Sequence, residues 1–182
     1  MIIKILTKNP ALLRAVVYGA NDGIVTTFAV VAGVAGAGLS ANIILILGIA
    51  NMIADGISMA LGDFLGERSE RRLKSYKKGE DGCECEGAWK TGLATFIAFV
   101  IAGSFPLLPY LTQAAGLCQL CFFSQFTLSI IFTAASLFTV GSLRTFLIKG
   151  SWIKNGFEML FIGSIAASAA YFLGAGIERL IR

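Results

Sequence analysis

An all-α membrane protein with five transmembrane helices is the fold class this sequence predicts, on three observations. The 182 residues are 56% hydrophobic and only 14% charged, whereas soluble domains carry about 25% charged residues. The mean hydropathy is +0.78. Apolar runs of about twenty residues, long enough to cross a ~30 Å hydrocarbon layer as a helix, recur along the whole chain. Nothing long enough for a second domain separates these runs, so 1–182 reads as a single transmembrane domain.

The elements follow in order. Met1 to Arg14 is a short basic lead in which Lys4 and Lys8 alternate with Ile2, Ile3, Ile5 and Leu6. It reads equally as an interfacial amphipathic turn or an unstructured tail. No cleavable signal is expected, because the apolar run after it is too long for a signal h-region and further spans follow. The first span covers residues 15–38 and contains Tyr18-Gly19-Ala20-Asn21-Asp22-Gly23. Gly19 with Gly23, and Ala29 with Gly33, place small residues four apart, which permits close helix–helix approach. The second span, 41–65, is expected to run on as a water-exposed helix through 66–74, because Glu67 with Arg71 and Glu70 with Lys74 are i,i+4 ion pairs. The third span, 89–111, opens on the interface anchor Trp89 and is bent or ended by Pro106 and Pro109. Thr112 to Cys121 reads as a short uncharged loop. The fourth and fifth spans cover 122–147 and 156–177.

Charge placement gives a topology. Of the fifteen Lys and Arg residues, thirteen fall in the lead, in the 66–90 connection and in the connection between the fourth and fifth spans. All three lie on one side of a five-span chain. Only Arg179 and Arg182 lie on the other. The positive-inside rule then puts the N-terminus in the cytoplasm and the C-terminus outside. The net charge of +4 is therefore a topology signal and not a nucleic-acid footprint. The basic 68–78 run also suits an anionic lipid surface.

Carboxylates inside the first two spans are the chemical anomaly. A charge near the bilayer centre costs about 2.5–3.5 kcal/mol on insertion scales, so such residues are rare and usually functional. Counting inward from the cytoplasmic ends, Asp22 and Met59 both sit about 10 Å in, at 1.5 Å per residue. Thr26 and Asp55 fall close to mid-membrane, and Tyr18 and Asp63 near the cytoplasmic mouth. Met52, Asp55 and Met59 share one helix stripe. Asp22, Met59, Asp55 and Asp63 are the candidate metal-transport residues. Asn51, Met52, Thr26, Glu67, Glu70, Cys83 and Cys85 are possible accessories. Oxygen ligands beside a thioether favour Fe²⁺ and similar ions over Ca²⁺ or Mg²⁺. A carboxylate in such a setting can alternate between proton and metal, the requirement for metal/proton exchange.

Each residue also has a plainer reading. Transmembrane Asn and Thr commonly bond a neighbouring helix or their own backbone, and Met52 fits as core or lipid-facing filler. Asp63 at the mouth is shallow enough to snorkel, and Asp55 to fix a helix partner. The Cys83-Glu84-Cys85-Glu86 loop suits either metal capture or solvated, reduced thiols. Cys118 and Cys121 read as a disulfide, a metal site or packing; they lie on the opposite face, so the two pairs cannot complete one four-Cys zinc site within a subunit. The chain has no His, no nucleophile–base constellation and no phosphate loop, so neither enzyme activity nor a cofactor is expected. A passive metal channel or sensor, and a structural assembly partner using Asp and Asn as interhelical glue, remain rival functions.

Tyr18-Gly19-Ala20-Asn21-Asp22-Gly23, together with the run from Asn51-Met52-Ile53-Ala54-Asp55-Gly56 to Met59-Ala60-Leu61-Gly62-Asp63-Phe64-Leu65, resembles the vacuolar iron transporter family. Trp152-Ile153-Lys154-Asn155-Gly156-Phe157-Glu158, Gly163 and Tyr171-Phe172-Leu173-Gly174 support the likeness. The resemblance implies a five-helix homodimer that exchanges Fe²⁺, and often Mn²⁺, for protons and moves metal out of the cytoplasm. The bilayer, the metal ion and the proton are its partners, with no nucleic acid. It implies a path between subunits lined by Asp22 and Met59, in a cell membrane for a prokaryotic source or a vacuolar membrane for a eukaryotic one. One departure is clear. Many members carry a long cytoplasmic metal-binding domain between the second and third spans, whereas here only Ser69 to Ala88 fill that gap, as in short nodulin-like members. Glu67, Glu70 and the Cys/Glu loop are the only local substitutes for it.

Overall fold

Asn9 starts the first helix. Its side chain accepts the Leu12 N–H, and Pro10, whose missing N–H costs nothing at a first helical position, begins α1, Pro10–Gly36. In the computed structural model, residues 9–79, 87–116, 124–146 and 150–181 are described. Lys4, Lys8, Cys83, Cys85, Cys118, Cys121 and Lys149 lie outside them. After α1 come α2 (Ala41–Lys78), α3 (Ala88–Gly103), a 3₁₀ turn (Phe105–Leu107), α4 (Leu108–Ala114), α5 (Gln125–Leu143), a second 3₁₀ turn (Arg144–Phe146) and α6 (Trp152–Ile181). The described residues contain no strand, and α3 with α4 forms one span, giving five helical spans long and apolar enough to cross a membrane.

Several bounds differ from the expectations. Pro10 to Arg14 belong to α1 and not to a separate lead, because the Asn9 cap and Pro10 nucleate the helix before the apolar run begins. The water-exposed extension of α2 goes further than residue 74, to an αL cap at Gly79 (φ 69°). Both ion pairs form in it: Arg71 to Glu67 at 2.7 Å and Lys74 to Glu70 at 2.6 Å. The Lys74 hydrogen bond and charge hold the Glu70 carboxyl below its usual range. With 38 residues α2 is about 57 Å long. Of the two readings of Pro106 and Pro109, bending holds, and the third span ends at Ala114 instead of 111. It passes through the 3₁₀ turn and continues as α4. The buried Ser129 hydroxyl of α5 donates to the Pro106 carbonyl at 2.6 Å, satisfying a backbone group at the break.

Helix α1 is the centre of the bundle and packs against α2, α3, α5 and α6. Lipid tails are as apolar as side chains, so close backbone approach, not burial from water, holds such helices together. The small residues of α1 supply that approach. A Cβ on Gly19 would sit 2.7 Å from the Thr95 carbonyl oxygen, and one on Gly23 would overlap the Phe99 backbone. Gly33 meets Gly174 of α6 backbone to backbone. One apolar cluster joins Phe28, Val31, Val34, Ile44, Leu107 and Tyr110, and another joins Ile24, Ala102, Leu137 and Met159. Ile53, Ile57 and Leu61 of α2 and Phe161, Ile165 and Phe172 of α6 point outward, as lipid-facing residues do.

Candidate functional site

The inner face of α2 is a stripe of Gly48, Met52, Gly56 and Ala60. Gly48 meets Leu107, Gly56 meets the Phe96 and Phe99 rings, and the Ala60 carbonyl meets Gly92. Met52 belongs to this stripe and is only 7% exposed, which gives it a packing role. Its neighbour is the stripe Asn51, Asp55, Met59 and Asp63, spaced four apart so that each side chain lies one turn above the last. All four are half-buried. They occupy the border between the packed face of α2 and its outward face.

Asp55 of α2 and Asp22 of α1 lie close enough for their charges to interact. The Asn51 amide donates to Asp55 Oδ2 at 2.6 Å and fixes that carboxylate from one turn away. The hydrogen-bond partner of Asp55 on its own helix is Asn51. Thr26 turns its hydroxyl proton to the Asp22 backbone carbonyl at 2.8 Å, the backbone-bonding behaviour common for a transmembrane Thr. Met59 lies one turn from both Asp55 and Asp63.

Asp63 occupies a separate level. With Arg14, Ala15 and Tyr18 it lines a cavity of about 240 Å³ between the N-terminal end of α1 and the charged end of α2. The buried Thr95 hydroxyl of α3 donates to Asp63 Oδ2. Asp63 is therefore tethered to a third helix, an arrangement that a freely snorkelling side chain does not have. Beyond it, Glu67 is largely covered and paired with Arg71, while Glu70 is exposed and paired with Lys74. Two participants escaped residue counting. Thr95 is one β-branched residue in an apolar span, and the sequence signal that points to it is the Thr91–Thr95 spacing, which marks one polar helix face. Arg14 was assigned to a lead and not to the mouth.

Among the described residues, no three His, Cys, Asp or Glu side chains converge into a group able to hold a metal ion. A single chain presents Asp22 and Asp55 as a pair, with Met59 next on the stripe and Asp63 nearer the charged end.

The profile of the VIT family matches residues 13–86 and 75–175. "Vacuolar iron transporter 1" of Arabidopsis thaliana is 24% identical over 222 residues, covering 92% of this chain and 86% of the relative. "Vacuolar iron transporter homolog 3" of the same plant is 30% identical over 185 residues, covering 96% and 86%. A "Vacuolar iron transporter" of Toxoplasma gondii is 42% identical over 74 residues, 41% of this chain and 24% of the relative. The alignment with the first of these is longer than the 182 residues here, so that relative carries inserted segments, whereas homolog 3 aligns over nearly the same length. With a family profile spanning most of the sequence and relatives matched along nearly its whole length, the chain belongs to the VIT family.

Proposed function

We propose that this multi-pass membrane protein carries divalent transition metal out of the cytoplasm in exchange for protons, Fe²⁺ first and Mn²⁺ second, and that it works as a homodimer. The observation that carries this reading is two half-buried carboxylates, Asp22 of α1 and Asp55 of α2, close enough for their charges to interact. Left against lipid, each costs about 2.5–3.5 kcal/mol. A second copy related by a two-fold axis covers them and doubles the ligand set, since an isologous interface repeats each contact. Two Asp22, two Asp55 and two Met59 then surround one axis. The relatives' names supply the metal: they are called iron transporters. Met59 adds a polarizable sulfur that a soft-accepting ion uses and Ca²⁺ or Mg²⁺ gain little from.

In this mechanism metal is first met at the cavity lined by Asp63, Arg14 and Tyr18. It passes to the Asp22–Asp55 level by ligand exchange, with Met59 on the same stripe between Asp63 and Asp55. A carboxylate that releases metal takes up a proton, which couples the two flows. The excess of basic residues at the charged end of α2 supports a cytoplasmic mouth there, and hence export. The membrane is the cell membrane of a prokaryotic source or the vacuolar membrane of a eukaryotic one.

Purified protein in proteoliposomes tests the reading. Fe²⁺, Mn²⁺ and Zn²⁺ fluxes are measured with and without a pH gradient, for the parent and for Asp22→Ala. The expected result is Fe²⁺ flux that moves protons, responds to the gradient and is lost in Asp22→Ala. Parental Fe²⁺ flux in Asp22→Ala sinks the site assignment. Flux that neither moves protons nor responds to pH makes the protein a channel.

A further inference from the structure

Thr95 of α3 links three helices at the mouth. Its residue is fully buried, at 0% exposure. On one side, α1 presses against it at Gly19, where an added Cβ would lie 3.2 Å from the Thr95 γ-methyl and 2.7 Å from its carbonyl oxygen. On the other, its hydroxyl donates to Asp63 Oδ2 of α2. With one proton to give, that hydroxyl has two acceptors in reach: the carboxylate and the Thr91 carbonyl at 3.1 Å. The Thr91 hydroxyl is engaged elsewhere, with the Ala88 carbonyl at 2.7 Å. Asp63 thus meets Thr95 on its protein side, while lining the cavity with Arg14, Ala15 and Tyr18.

From this geometry we infer that Thr95 is a positioning residue for metal uptake at the mouth: its hydroxyl, held in place by the α1 contact at Gly19, aims the Asp63 carboxylate into the cavity. The inference rests on the reading of Asp63 as a metal ligand. A carboxylate held in one orientation binds a cation without the ordering cost that a free rotamer pays. Losing the tether therefore weakens capture of metal at low concentration and leaves the later transfer steps alone. In transport terms KM rises and kcat stays.

The experiment uses the full chain in proteoliposomes and Fe²⁺ as the probe, with Thr95→Val, Thr95→Ser, Asp63→Asn and the double variant Thr95→Val with Asp63→Asn. Val keeps the branched shape and removes the hydroxyl; Ser keeps the hydroxyl. Interhelical hydrogen bonds in membranes correspond on average to about a threefold change in an equilibrium constant and at most to about an eighteen-fold one. The expected result is a KM rise of that size in Thr95→Val with kcat within about twofold, parental KM in Thr95→Ser, and no added effect of Thr95→Val on Asp63→Asn. Parental KM in Thr95→Val overturns the inference, as does Thr95→Ser behaving like Val, or a fall confined to kcat. Should Thr95→Val not accumulate as folded protein, Thr95→Cys, similar in bulk with a weak donor, is read by the same criteria. The two readings fail separately. Parental transport by Asp63→Asn removes Asp63 from the metal path, whereas a raised KM in Asp63→Asn with a parental KM in Thr95→Val removes only Thr95.

Discussion

Gly23→Ala puts the central seam of the fold to the test. A methyl at this position would lie 3.0 Å from both the carbonyl carbon and the Cα of Phe99, and closer still to the carbonyl oxygen, against 3.4 Å or more for ordinary contact. The obstacle is helix backbone, so no side-chain rotation relieves it. Helices α1 and α3 must separate by about 0.6–1 Å to clear the carbonyl oxygen, a gap that forfeits a quarter to a half of each dispersion contact along the seam. Overpacking of this kind costs about 1–3 kcal/mol. Alanine returns up to about 1 kcal/mol through its better helix propensity. With the full return the net loss is about 0–2 kcal/mol, or up to roughly 8 °C in Tm for a chain of this size, and the gap to a glycine-to-alanine change without a clash is the whole overpacking cost of about 1–3 kcal/mol. Gly176→Ala is the control, since nothing lies within 4 Å of its added methyl, and it is expected to melt at or slightly above the parental temperature. Thermal melting of detergent-purified protein reads both. Because Asp22 is the adjacent residue on α1, transport in Gly23→Ala is expected to fall as well. If Gly23→Ala melts with Gly176→Ala, the α1–α3 backbones are not in contact at this level and the packing argument is wrong.

Other outcomes follow from the same coordinates. Ser129→Ala removes the donor to the buried Pro106 carbonyl and should destabilise the protein by about 0.6–1.7 kcal/mol, the span measured for interhelical hydrogen bonds in membranes; an unchanged Tm would mean the carbonyl finds another partner. Met59→Leu keeps apolar bulk and removes the thioether, so it should narrow the preference for Fe²⁺ over Mn²⁺ in competitive flux assays without abolishing transport; an unaltered ratio would take the sulfur out of the selectivity. Asn51→Ala frees Asp55 Oδ2 and should lower transport less than Asp55→Ala does, a ranking that proteoliposome flux decides. Glu70→Gln breaks an exposed i,i+4 pair, and exposed pairs of this kind are screened by water and contribute little, so its Tm should stay close to the parental value; a clear loss would show that the α2 extension is held by more than its own helix.

The five spans, the small-residue spacing of α1 and the ion-paired extension of α2 were all legible in the sequence, because each rests on local periodicity, length and charge. The sequence also singled out the half-buried carboxylates, since Asp in an apolar run is anomalous whatever the fold. Local backbone competition moves the ends: Asn9 and Pro10 start α1 earlier than the apolar run does, and the third span runs three residues beyond 111 to Ala114. Only the tertiary structure decided which partner each polar residue takes. Linear spacing places Asn51, Asp55, Met59 and Asp63 on one stripe, yet it does not say that Asp55 comes within charge range of Asp22 on α1 while Asp63 is held by Thr95 of α3. Those pairings come from helix azimuth and from how closely glycines such as Gly19 let α1 approach α3. Both are set by packing between segments far apart in the chain, a quantity that periodicity within one helix does not carry.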